Sequence, residues 1–230
     1  MKHALVAAVT GSAHGIGPDI VRALRRAGYF VISNGRSDTK GPGDLHVRAD
    51  VATPAGARRL IAAARRQGRL DLLVCGVGDF FPTPVSRIDV DSWQEIFESN
   101  LHSAWRSCRE ALPLLRKSKG VILTLGGSAT NAVRANPRYV AYQMAKTALT
   151  VFTKSLAQAE APGIRVNMIN PGIIRTPEND GPLLRKLARR VPAGRPGEPR
   201  DIAQAVVWLA SDAASYITGA VLDVGGGLWT

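Results

Sequence analysis

The chain has 230 residues, 45% of them hydrophobic and 21% charged, with a formal net charge of +12. This length supports one sizeable core rather than two, the composition is that of an ordinary globular domain, and no apolar run is long enough to span a bilayer. The positive charge does not point to nucleic acid, because most of it is arginine scattered along helical segments (Arg22, Arg25, Arg26, Arg58, Arg59, Arg65, Arg66) without interleaved aromatics. An anionic cofactor or substrate accounts for part of it; a compositional bias toward arginine is the plainer account.

Lys2 and His3 ahead of the apolar run from Ala4 to Val9 imitate a secretory leader, but the run is short and Gly11, Gly15 and Gly17 follow at once. Residues 4–10 read instead as a buried strand entering a glycine turn, and a cytoplasmic protein is expected. A helix follows over 18–27, with Pro18 tolerated in its first turn. Strands are expected at 30–34 and 45–49, a helix at 54–67 and a strand at 70–75. A long helix at 91–115, bent at Pro113, comes next, then a strand at 121–125 and a helix at 139–160 ended by Pro162 and Gly163. A strand at 165–169, a helix at 201–211 and a strand at 220–224 complete the pattern. The two cysteines, Cys75 and Cys108, lack metal-ligand or redox-motif spacing and read as core residues; no metal is expected.

Apolar strands joined by helices imply a parallel sheet covered on both faces. Right-handed crossovers then give a Rossmann-like, doubly wound α/β fold with seven strands, one domain over 1–230. Ligands in such sheets bind beyond the carboxyl ends of the strands. The segment Thr10-Gly11-Ser12-Ala13-His14-Gly15-Ile16-Gly17 lies at such an end. Its glycines permit a tight turn and a close approach to a pyrophosphate, while the next helix aims its N-terminal N–H groups at the phosphates. A plain strand-to-helix turn would not call for three glycines.

The end of the second strand meets the adenosine ribose in this architecture, where a carboxylate would take the 2′-hydroxyl. Asn34-Gly35-Arg36-Ser37 stands there instead. The planar fork of Arg36 suits a 2′-phosphate, which favours NADP(H) over NAD(H), although Arg36 also reads as one more surface arginine. Asp50, followed by Val51, either accepts from the adenine amino group or is an N-terminal helix acid.

Tyr142 and Lys146 lie one turn apart on one helix face. A tyrosine near pKa 10 is a poor acid–base group at neutral pH, and an adjacent ammonium favours its phenolate. Alone, the pair would read as a surface contact. Ser128, ending the fifth strand fourteen positions earlier, could bond the same carbonyl oxygen. With the glycine turn, these residues form a specific set.

On these residues the chain resembles the short-chain dehydrogenase/reductase family of the compact type, similar to 3-oxoacyl-[acyl-carrier-protein] reductase-like members, from about residue 4 to 227. Thr10-Gly11-x-x-x-Gly15-Ile16-Gly17 matches the family's cofactor turn, and Asn100, Ser128, Tyr142 and Lys146 match its catalytic tetrad in order and spacing. Asn170-Pro171-Gly172-Ile173-Ile174-Arg175-Thr176 resembles the segment that touches the nicotinamide amide, and Gly194-Arg195-Pro196-Gly197-Glu198-Pro199 through Gly225-Gly226 matches the C-terminal half. The resemblance implies that Tyr142 gives a proton to a carbonyl oxygen and that Ser128 positions that carbonyl. It implies that Lys146 lowers the Tyr142 pKa and holds the nicotinamide ribose, and that Asn100 supports a water linked to Lys146. Cofactor contacts are expected from Gly11, Ser12, His14, Gly15, Ile16, Gly17, Arg36, Ser37, Asp50, Val51, Gly76, Gly78, Tyr142, Lys146, Pro171, Gly172, Ile174 and Thr176.

Cys75-Gly76-Val77-Gly78 departs from the family's Asn-Asn-Ala-Gly, whose asparagines tie the central sheet together. A substrate lid is expected at about 176–192, with Arg185, Lys186, Arg189 and Arg190 on it and Arg134, Arg138 and Arg175 near the mouth. This charge suits an anionic substrate such as a 3-oxoacyl thioester on an acyl carrier protein, or is a solvated basic face. Small-molecule carbonyl or alcohol substrates, pteridines among them, stay open, as does a nicotinamide-binding regulatory protein without turnover. No nucleic-acid or membrane partner is expected. A homo-oligomer, tetramer or dimer, is implied through helices 91–115 and 139–160 and the last strand, with no extended tail beyond Thr230 to embrace a neighbour.

Overall fold

The computed structural model describes residues 5–37, 41–127, 130 and 135–228. Seven strands, β1 (Leu5–Val9), β2 (Tyr29–Gly35), β3 (Leu45–Arg48), β4 (Leu72–Cys75), β5 (Val121–Leu125), β6 (Arg165–Pro171) and β7 (Val221–Val224), form one sheet in the order β3-β2-β1-β4-β5-β6-β7. Every neighbouring pair is parallel, as expected for this fold. All residues of β4 and β5 are buried, because helices cover both faces.

Alternate residues of each strand feed two cores. Leu73, Ile122 and Met168 pack with Leu60 of α2 (Pro54–Arg66), Leu115 of α4 (Ser103–Ser118) and Leu149 of α5 (Val140–Glu160). Leu72, Leu123 and Ile169 pack on the opposite face with Leu24 of α1 (Gly17–Arg26) and Val206 of α7 (Pro199–Ala210). The chain builds outward to β3, then returns across β1 to start β4. The connections after β1 and β4 therefore diverge, and a crevice opens beyond their carboxyl ends.

The long helical segment is interrupted near Asn100, and Pro113 sits inside α4. α3 (Val90–Phe97) runs into a π-helical turn, Glu98–His102, where the Ser103 N–H donates to the Glu98 carbonyl five residues back. Asn100 Nδ2 donates to Ile96 O at 3.0 Å, taking a main-chain acceptor, and the Glu98 carboxylate is held by Arg106 and by His102 at 2.9 Å. Such turns collect at functional sites because they re-aim one side chain. The 176–192 segment contains a short helix, α6 (Pro182–Ala188), which carries Arg185 and Lys186 as the basic-helix-face reading of this segment allows.

Candidate active site

The glycine turn follows β1 directly. Gly11 and Gly15 hold positive φ angles of 63° and 59°, costly for any residue with a Cβ. A Cβ on Gly17 would meet Ser12 Cα at 2.5 Å, and one on Gly11 would meet the Gly76 carbonyl at 2.9 Å. The turn is thus folded against itself and against the loop after β4, leaving a shelf of backbone. Ser12 is buried and structural: its hydroxyl accepts from Asn34 N at 2.8 Å and its own N–H donates to Asn34 O at 2.9 Å. His14 is exposed beside the turn. Gly15 N donates to Glu178 Oε1 at 3.3 Å, which brings a carboxylate from the 176–192 segment onto the turn.

The missing asparagines after β4 have substitutes. Thr10 Oγ1 accepts from Gly76 N at 2.9 Å, tying β1 to the β4 loop. Cys75 packs its sulfur 3.9 Å from that of Cys108, and both are buried, free thiols. The contact with the Cys75 sulfur, and then burial, push the Cys108 thiol well up, which disfavours the reactive thiolate.

Beyond β2 and β3 lies a cavity of about 510 Å³ lined by Arg36, Arg48, Ala49, Asp50 and Arg59. The sequence pointed to Arg36 and Asp50 but not to Arg48 or Arg59, which only the β3–α2 geometry brings alongside. Arg48 Nε donates to Arg36 O at 3.2 Å, and Arg36 reaches Asp79 at 3.5 Å. Asp50 Oδ1 accepts from Ala52 N at 2.9 Å in the turn ahead of α2, whose N-terminus is capped by Thr53. Val51 is in the core, while Ser37 is exposed.

The chemical residues converge on α5. Lys146 is buried, and its Nζ donates to Leu125 O at 2.8 Å and lies 5.8 Å from the Tyr142 ring centre. Gly127 has room for no side chain, since a Cβ there would stand 2.9 Å from the Tyr142 hydroxyl. A Cβ on Gly78 would lie 2.5 Å from Asn100 Oδ1 and 3.1 Å from Lys146 Nζ. Gly78, Asn100 and Lys146 therefore meet around one point. Asn100 spends its amide N–H groups on Asp79 O at 2.9 Å and Ile96 O at 3.0 Å, and its buried Oδ1 has no partner among the described residues. An orphan buried acceptor beside an ammonium suits a bridging water. Ser128 and Arg134 lie outside the described residues.

Burial pushes the Tyr142 phenol up to about 12 and draws Lys146 down to about 8 from 10.5. Desolvation raises the phenol, while the Lys146 ammonium is turned toward the Leu125 carbonyl and is itself desolvated. At neutral pH the phenol keeps its proton and is a donor.

Pro171 and Gly172 continue from β6, with Gly172 Cα so close to Gly225 that a Cβ would clash at 2.5 Å. Ile174 is buried in the core beside Gly197. Thr176 N donates to Asn179 Oδ1 at 2.8 Å, closing a turn. Arg175 pairs with Glu198 at 3.4 Å and Asp180 at 3.9 Å, which offsets its charge, whereas Arg138 lies over the Tyr139 ring at 5.6 Å and keeps its charge. Tyr139 stacks on exposed Phe80 at 4.6 Å, whose edge meets Tyr142 at 4.8 Å. The pattern of charges had not marked this aromatic wall. The self-packed glycine shelf, the arginine-lined cavity and the orphan Asn100 acceptor together fit a dinucleotide with its nicotinamide end toward Tyr142.

A family model described as "Enoyl-(Acyl carrier protein) reductase" matches residues 11–229. The chain belongs to the short-chain dehydrogenase/reductase family. The chain is 37% identical to 3-oxoacyl-[acyl-carrier-protein] reductase FabG of Salmonella typhimurium, covering 97% of each. It is 35% identical to 3beta-hydroxysteroid dehydrogenase 1 of Eggerthella lenta, covering 96% of this chain and 92% of that one. Its fold matches 3-ketoacyl-(acyl-carrier-protein) reductase of Brucella melitensis, solved with NADH, at a TM-score of 0.88 and 29% identity over 98% of each chain. As a short-chain dehydrogenase/reductase it is an oxidoreductase acting on CH–OH/C=O groups with a nicotinamide cofactor. No helix among the described residues is long and apolar enough to cross a membrane.

Proposed function

We propose that this short-chain dehydrogenase/reductase is an NADP(H)-dependent carbonyl reductase, with a 3-oxoacyl thioester on an acyl carrier protein as its substrate class. The observation that carries the cofactor choice is the arginine-lined cavity beyond β2 and β3, where Arg36 replaces a ribose-binding acid. The FabG relative supports the substrate class. A bound nicotinamide supplies or accepts the hydride.

The chain's own residues do the rest. Gly11, Gly15, Ile16 and Gly17 hold the pyrophosphate with backbone N–H groups, flanked by Ser12 and His14. Arg36 and Ser37 face the 2′-phosphate, Asp50 and Val51 the adenine, Gly76 and Gly78 the adenosine side, and Pro171, Gly172, Ile174 and Thr176 the nicotinamide. Tyr142, protonated at neutral pH, donates to the carbonyl oxygen. Ser128 orients that oxygen. Lys146 binds the nicotinamide ribose and passes protons through a water held by Asn100. Residues 176–192 close over the substrate.

A homo-oligomer is proposed as well, since Trp105 of α4 and Met144 and Val151 of α5 are exposed. A second substrate reading, a compact polycyclic or aryl ketone, is favoured by the Phe80–Tyr139 wall and by the steroid dehydrogenase relative.

Titration by nicotinamide fluorescence, NADPH against NADH, followed by a panel holding a 3-oxoacyl thioester and a 3-ketosteroid, tests the reading. Tighter NADPH binding with thioester turnover supports it. Stronger use of NADH would overturn the cofactor choice, and turnover of the steroid alone would overturn the substrate class. Nicotinamide binding without turnover of any carbonyl would turn the reading to a regulatory protein.

A further inference from the structure

The loop after β4 carries two adjacent phenylalanines that face different ways. Phe81 packs onto the small cluster of Ile96, Ala141 and Ala145, whereas Phe80 is 62% exposed. Phe80 is nevertheless held in place from both sides. The segment after it pairs with the start of α5: Thr83 N donates to Arg138 O at 2.8 Å, Val85 N donates to Pro137 O at 3.0 Å, and Thr83 Oγ1 accepts from Ala141 N at 3.3 Å. Before it, Asp79 O accepts from Asn100 Nδ2 at 2.9 Å and Asp79 N donates to Ser99 Oγ at 3.3 Å. These bonds set the Phe80 ring on Tyr139, 4.6 Å between centres and 10° from parallel. Of the flanking charges, the Asp79 carboxylate reaches Arg36 at 3.5 Å, and Arg138 lies over the Tyr139 ring and adds a cation to the stack. A ring stacked on one side and still this exposed presents its other face. The Phe80 and Tyr142 ring centres are 4.8 Å apart, so a carbonyl oxygen bonded to the Tyr142 hydroxyl brings its own substituents within reach of that face.

We infer that Phe80 is a specificity-determining residue whose free face receives a flat, conjugated ring attached to the reacting carbonyl carbon, with Tyr139 as the positioning residue behind it. An offset flat ring continues the stack, while a puckered saturated ring of similar size is thicker and lacks the quadrupole that favours such packing. The platform is set by main-chain bonds before a ligand arrives, so little ordering is needed on binding. This inference rests on the carbonyl-reductase reading above and narrows its substrate, with or without a carrier.

The test measures kcat/KM of the full chain, with its preferred nicotinamide in excess, on phenyl and cyclohexyl ketones of matched size. The pairs are acetophenone with cyclohexyl methyl ketone, and the 3-oxo-3-phenylpropanoyl with the 3-oxo-3-cyclohexylpropanoyl thioester of N-acetylcysteamine. A straight-chain 3-oxoacyl thioester is run beside them. The phenyl-to-cyclohexyl ratio is compared between variants, so the unequal intrinsic reactivity of the two ketones cancels. Phe80→Leu should lower the ratio about three- to tenfold, with the cyclohexyl value and nucleotide affinity nearly unchanged. Phe80→Tyr should keep the ratio. Tyr139→Leu should lower it by less, and Tyr139→Phe should restore it. The control is Val85→Ala, exposed on the same loop, which should leave it alone. An equal loss on both ketones would make Phe80 a mere support for Tyr142 and refute the inference, as would an unchanged ratio; the carbonyl-reductase reading stands in either case. Turnover of the straight-chain thioester without any ring compound would likewise refute the inference alone. No turnover of any of these ketones would overturn both.

Discussion

The two ends of the crevice are built on opposite terms. The cofactor shelf at Gly11–Gly17 is made of main chain, its neighbours are hydrogen-bonded to one another, and its cost is conformational, met by glycine. The chemical end on α5 is made of side chains whose polar needs the fold leaves partly unmet: a desolvated ammonium held by one carbonyl, a desolvated phenol and an acceptor with no partner among the described residues. A region that binds can be stable in itself, whereas a region that reacts is left unsatisfied until its ligands arrive.

The largest effect should come from the reacting end. Tyr142→Phe removes one oxygen and no packing, so nucleotide affinity should hold while kcat falls on the order of a thousandfold. Stopped-flow reduction of the preferred ketone measures this; a variant within tenfold of the parent would show that another group gives the proton.

Lys146 sharpens the contrast, because its function and its stability pull apart. Its folded pKa of about 8 lies below its ordinary 10.5, so the unfolded chain binds the proton more tightly. The cost of charging it is fully present below pH 8 and fades as pH climbs toward 10.5, so stability should rise through that window. The gap corresponds to about 3 kcal/mol. Lys146→Met should therefore abolish turnover and raise the melting temperature by about 5–10 °C at pH 7, with less gain at pH 10. Calorimetric melting at both pH values decides it, and a variant that melts no higher than the parent would mean that the Leu125 bond repays the burial.

The shelf should behave the other way. Gly17→Ala puts a methyl 2.5 Å from Ser12 Cα, a backbone atom that cannot swing aside. Destabilisation of about 1–3 kcal/mol is expected, with loss of nucleotide binding, read by denaturant unfolding and by NADPH fluorescence. A stable variant that binds normally would show that the shelf is looser than its contacts imply.

How much of this was legible in the chain follows the same division. Main-chain features announce themselves: apolar runs placed all seven strands, and Thr10 to Gly17 marked the shelf. Tyr142 and Lys146 were legible because helical periodicity fixes their spacing. What was hidden depends on elements meeting in space. Neither the cavity-lining arginines Arg48 and Arg59 nor the Phe80–Tyr139 stack leaves a spacing signal, since each joins residues from separate elements. The π-helical turn at Asn100, with its amide drawn onto Ile96 O, left no such signal, because nothing in the residue spacing marks it. The burial that raises the Tyr142 phenol is likewise not written in the sequence.

The smallest effect tests where the two ends touch. Glu178 lies in the 176–192 segment, yet its carboxylate takes the Gly15 N–H of the shelf. The Thr176 hydroxyl holds the Glu178 carboxyl below the usual range, with further help from Gly15 N–H and the nearby His14. It is therefore an anion at any working pH, set on a backbone donor that suits a phosphate. A pyrophosphate approaching the turn must displace it and meets its charge. Glu178→Gln keeps the shape and removes the repulsion, so nucleotide affinity should improve about two- to fivefold, the scale of one charge at a helix N-terminus. The gain should shrink in high salt and should be seen for ADP but not for adenosine. Weaker binding of ADP by the Gln variant would reverse the argument, making Glu178 a strap that holds the segment over a bound cofactor rather than an anion that competes with it.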